Sequence, residues 1–109
     1  MPVYNKLVRD KIPEIIEKSG KQLRSRVLEA EEYKSALQEK CLEEWDEYLK
    51  AETSEHALEE LADLLEIIHA LAKIHGGTPE QLEKIRMEKA VKRGGFEKRL
   101  FLIEVMDED

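Results

Sequence analysis

Residues 37–74 read LQEKCLEEWDEYLKAETSEHALEELADLLEIIHALAKI. Two helical stretches flank the break at Ala51-Glu52-Thr53-Ser54, and a connection that short makes them antiparallel neighbours. Each stretch carries an acidic pair at i, i+3 spacing, Glu44 with Glu47 and Glu60 with Asp63. On an α-helix this spacing sets both carboxylates on one face, about 60° apart around the axis and roughly 4.5 Å apart along it.

Residues level with each other across such a hairpin have numbers that sum to about 106 when the turn centres near Thr53, so Glu44 and Glu47 face residues 59–62. The second acidic pair begins there. In steps of three and four, Leu37, Cys41, Glu44 and Tyr48 share a face, as do Ala57, Glu60, Ile67, Ala70 and Ile74. The acids therefore interrupt apolar seams. Four carboxylates meeting in a partly buried seam repel unless they are protonated or bridged by a cation. Mg²⁺, or Mn²⁺, is the natural counter-charge, because both are hard ions that take oxygen ligands.

The alternative is a solvated face. The chain is 39% charged, so such spacings arise easily by chance on solvated helix faces, as Glu43 with Asp46 and Glu80 with Glu83 illustrate. Two pairs at matching height inside apolar stripes favour the metal site over chance.

Working outward, the 109 residues suit a single domain, residues 1–109, with one core. Low aromatic content and few Gly and Pro predict a mainly α fold. The formal net charge of -7 argues against sequence-independent binding of long nucleic acid, which needs a basic surface. Cys41 is the single cysteine, so no intramolecular disulfide forms, and its place on the Leu37 seam makes it a small core residue. The opening residues lack the apolar run of a signal peptide. The most apolar stretch, residues 61–74, is interrupted by Asp63, Glu66, His69 and Lys73, so the expectation is a cytoplasmic protein with no membrane partner.

A first helix is expected over residues 11–18, with Pro13 tolerated in its first turn and Ser19-Gly20 closing it. A second spans residues 30–50, and a third runs from an N-cap at Thr53 or Ser54 to Gly76-Gly77. Thr78-Pro79-Glu80-Gln81 starts a fourth that ends at Gly94-Gly95, with Thr as N-cap, Pro at the first helical position and Gln closing a capping box. Residues 22–28 and 99–105 read as β-rich runs able to form a small two-stranded element. The third helix is apolar around most of its circumference, more than one small chain can cover. A second subunit is therefore expected, two copies of the hairpin making a four-helix core. Homodimer and homotetramer both remain open.

The run Glu43-Glu44-Trp45-Asp46-Glu47 with Glu59-Glu60-Leu61-Ala62-Asp63-Leu64-Leu65 resembles the ExxE and ExxD signature of the all-α nucleoside triphosphate pyrophosphohydrolases. That superfamily includes MazG-like proteins, dimeric dUTPases and phosphoribosyl-ATP pyrophosphohydrolase. The opening Tyr4-Asn5-Lys6-Leu7-Val8-Arg9-Asp10-Lys11-Ile12-Pro13 and residues 89–96 look like a small MazG-like branch of house-cleaning enzymes. The resemblance implies an all-α bundle and Mg²⁺-dependent attack of water at the α-phosphorus of a nucleoside triphosphate, releasing pyrophosphate. It makes Glu44, Glu47, Glu60 and Asp63 metal ligands and extends substrate contact to Asn5. Phosphoribosyl-ATP hydrolysis is the narrower variant.

Such chemistry suits the residues themselves. Phosphoryl transfer needs charge neutralisation, positioning and an activated water, which carboxylate-held metal provides. Glu43 and Glu59 adjoin the paired acids and are candidates for the catalytic base. They point about 100° aside, so a solvated face competes with that role. Cationic contacts to phosphate fall to Lys6, Arg9 and Lys11 at the opening and to Lys89 and Arg93 at the end of the fourth helix. For the last two, the helix dipole offers an ordinary explanation. Trp45 and Phe96 are candidates for stacking on a base or for plain core and interface packing. From a different class, a non-catalytic metal-binding oligomeric helical module explains the same acids and the same apolar helix.

Overall fold

Residues 2–107 are described by a computed structural model. Four helices lie among them: α1 (Ile12–Lys18), α2 (Ala30–Lys50), α3 (Ser54–Ile74) and α4 (Pro79–Arg93). The caps account for the boundaries. Thr53 Oγ1 accepts from the His56 amide at 3.1 Å and starts α3. At α4 the Thr78 hydroxyl accepts from the Gln81 amide at 3.1 Å, while the Thr78 amide donates to Gln81 Oε1 at 2.8 Å, a reciprocal capping box. Glu29 and Glu32 close a similar box on α2, where an acid stands in for the usual hydroxyl.

Gly76, at φ 78, terminates α3. Its amide donates to the Lys73 carbonyl at 3.0 Å and the Gly77 amide to the Ala72 carbonyl at 2.8 Å, the paired bonds of a Schellman end. A side chain at Gly76 would strain that left-handed backbone.

α2 and α3 form the expected antiparallel hairpin, the most extensive packing in the molecule. Leu37 and Ile67, one from each helix, are its two buried apolar residues among those described, at 3% and 7% exposure. α4 folds back against the end of α3, and α1 touches no other helix. The result is long, with extents of 70 × 35 × 24 Å and a radius of gyration of 19.1 Å. A compact chain of about 100 residues has a radius near 13 Å.

Neither β-rich run forms a strand among the described residues. No backbone hydrogen bond joins residues 22–28 to 99–105 there. A strand without a ladder partner is not stable in water, and this chain does not bring the two runs together. Val27 and the side chains of Leu100, Phe101, Leu102 and Ile103 are exposed.

Candidate metal centre

Three acids from facing helices meet in the hairpin seam. Glu44 on α2 and Glu60 and Asp63 on α3 each offer a carboxylate oxygen, all within 4.8 Å of one another. Side-chain exposures of 13% for Glu44 and 14% for Glu60 keep two of them largely out of water, while Asp63, at 42%, forms the open side. These oxygens fit a hard divalent cation in charge, donor type and spacing.

Glu47 is not part of this group. It lies exposed on α2, about 60° around the helix from Glu44 and on the side away from Tyr48. Because Leu37 anchors the α2 face that meets α3, rotating Glu47 into the seam would turn Leu37 and Tyr48 out of it. Glu43 and Glu59 are exposed as well. Lys6 Nζ reaches Glu43 at 3.8 Å, which ties Glu43 to the opening segment.

Basic side chains border the acids. Within α2, Lys40 Nζ lies 3.6 Å from Glu44, and within α3, His56 Nε2 lies 3.3 Å from Glu60. Both pairs have i, i+4 spacing, so counting along each helix from the acids is enough to find them. From outside the hairpin, Arg9 donates to Asp63 Oδ1 at 2.7 Å. Burial is the largest cause that raises the Glu44 carboxyl above the usual carboxylate range. Lys40 opposes that rise, while Asp63 and a hydrogen bond shared with Glu60 reinforce it.

The other sequence candidates divide. Arg9 comes to the three-acid cluster, and Lys6 reaches Glu43, which adjoins Glu44 in sequence. Asn5, at φ 42, and Lys11 lie on the same opening segment, with no side-chain hydrogen bond or ion pair to the cluster among the described residues. Lys89 and Arg93 stand on α4, which meets α3 around the Gly76-Gly77 turn, and they make no ion pair with the cluster. Trp45 packs on Tyr48 with ring centroids 5.2 Å apart. Phe96 is almost fully exposed. Cys41 is half-buried in the seam, and no described helix is long and apolar enough to cross a membrane. No protein-family model, no curated protein and no solved structure matches this chain.

Proposed function

We propose that the chain is a Mg²⁺-dependent nucleoside triphosphate pyrophosphohydrolase of the MazG-like kind, acting on non-standard nucleotides in the cytoplasm. The observation that supports it is the convergence of Glu44, Glu60 and Asp63 from two helices, with Arg9 on Asp63 and Lys6 on the adjoining Glu43. In this reading those three acids hold Mg²⁺, with Mn²⁺ as a substitute, and the bound ion supplies charge neutralisation at the phosphates. Arg9, Lys6 and the neighbouring Asn5 and Lys11 bind the triphosphate.

Water attacks the α-phosphorus, the bond to the oxygen bridging the α- and β-phosphates breaks, and pyrophosphate leaves a nucleoside monophosphate. Glu43 or Glu59 takes the proton of the attacking water, Glu43 being the better held. Lys89 and Arg93 would join the site only from a second copy or after movement of α4.

An oligomer of two or four copies completes this reading. The chain exposes 10620 Å². A compact monomer of 12.7 kDa exposes about 6,200 Å², so the excess is several times one side of an ordinary interface. The uncovered α3 face, with Leu58, Leu61, Leu65 and Ile68, is the surface such a partner would cover. Residues 22–28 and 99–105 would find strand partners in the same contact. That exposure equally suits a non-catalytic metal-binding oligomeric module.

The deciding experiment incubates pure protein with normal and damaged nucleoside triphosphates and with phosphoribosyl-ATP, plus Mg²⁺ or Mn²⁺, and measures pyrophosphate. Turnover is expected on at least one triphosphate. No release from any of them leaves the non-catalytic module standing. Preference for phosphoribosyl-ATP selects the histidine-pathway variant.

A further inference from the structure

The opening segment lies over the acids without being built into the helical frame. α1, which follows it, contacts no other helix, and Val3, Tyr4 and Val8 are exposed. Leu7 is the one half-buried side chain of residues 4–11, and two charge contacts tie the segment to the hairpin, Lys6 to Glu43 at 3.8 Å and Arg9 to Asp63 at 2.7 Å. Both pairs are about half exposed, and solvent-screened pairs of this kind are weak.

Arg9 differs from the other basic side chains at the site. Lys40 and His56 each sit one turn from the acid they touch on the same helix. Arg9 comes from 54 residues away in sequence and ends on Asp63, the most open of the three acids. It holds Oδ1 of a carboxylate that a divalent ion would share, and two cations repel each other at one carboxylate. A guanidinium also has a planar fork of five donors that matches a phosphate as well as it matches a carboxylate.

We infer that residues 4–11 form a displaceable clasp, in which Arg9 neutralises Asp63 in the metal-free protein, yields that carboxylate on metal loading and turns its donors to the polyphosphate of the substrate. This rests on the reading that Glu44, Glu60 and Asp63 hold the metal for a nucleoside triphosphate. Arg9 then has opposite effects on two ligands, competing with the metal and assisting the phosphates. A residue that merely stabilised the fold would weaken both when replaced.

The test titrates Mn²⁺ alone into the full chain and into Arg9→Gln by calorimetry, and then titrates a non-hydrolysable triphosphate analogue with Mn²⁺ present. Arg9→Gln is expected to bind Mn²⁺ several-fold more tightly and the analogue several-fold more weakly. Arg9→Lys, which keeps the charge and loses the fork, should bind Mn²⁺ as the parent does and the analogue less well. In the unaltered protein, amide hydrogen exchange over residues 4–11 should speed up on adding Mn²⁺, a readout that needs no variant. Equal or weaker Mn²⁺ binding by Arg9→Gln, or slower exchange in that segment, overturns the clasp. Clasp behaviour without pyrophosphate release from any nucleotide removes catalysis alone. Turnover with unchanged Mn²⁺ affinity in Arg9→Gln removes the clasp alone, and absence of Mn²⁺ binding in both proteins removes both.

Discussion

The α2–α3 hairpin and the two ends of the chain use similar apolar residues to different effect. In the hairpin, Leu37 and Ile67 are buried against the facing helix, and the half-buried acids lie in the same seam. At the carboxyl end, Leu100, Phe101, Leu102 and Ile103 form a denser apolar run that stays exposed, and at the amino end Val3 and Tyr4 do the same. Apolar content alone therefore does not decide burial here. A short turn supplies a partner helix for the hairpin, whereas no packed element covers Val3, Tyr4 or residues 100–103 among the described residues.

This contrast gives the largest expected effect. Ile67→Ala should cost about 2–5 kcal/mol in urea unfolding. Leu102→Ala should fall within about 0.5 kcal/mol of the parent in a single chain. Equal costs that grow with protein concentration would show that the end is covered in an assembly. Next, Glu60→Gln should lower the rate of pyrophosphate release by on the order of a hundredfold, the scale of removing one preorganised electrostatic group. Glu47→Gln, outside the three-acid group, should change it far less, and equal losses would restore Glu47 to the metal site. Thr78→Ala removes the α4 cap and should cost about 1 kcal/mol, read as a lower melting temperature.

The smallest effect concerns pH in the metal-free protein. Because the Glu44 carboxyl is raised, chiefly by burial, its favourable contribution is fully present below its unfolded value and is lost as pH rises through the folded one. Glu44→Gln carries no charge at any pH. Its melting temperature should therefore gain on the parent as pH rises from about 4 toward neutrality. Glu32 and Glu83 are lowered by Arg26 and Arg86 and lose their contribution as pH falls, but both proteins share them and the comparison cancels them. A difference that does not change with pH would sink this account.

The helices were legible because their ends are marked by local chemistry: Thr53, Thr78-Pro79 and Gly76 fix boundaries within a turn of themselves. Glu44 and Glu60 were legible as members of the apolar stripes. The same stripe, Leu37, Cys41, Glu44 and Tyr48, already leaves Glu47 aside, so its exposure follows from the periodicity rather than from the ExxE spacing. Arg9 on Asp63 was not legible as a contact, since nothing local links residues so far apart. The two β-rich runs have the right composition, but a ladder needs a second strand that composition does not place.

The only tryptophan in the chain follows Glu44 directly, half in water and stacked against Tyr48. Indole emission responds to local polarity and to nearby paramagnetic ions, so the protein carries its own optical gauge beside the acids. Mn²⁺ should quench that fluorescence where Mg²⁺ only shifts it, giving a label-free view of site loading.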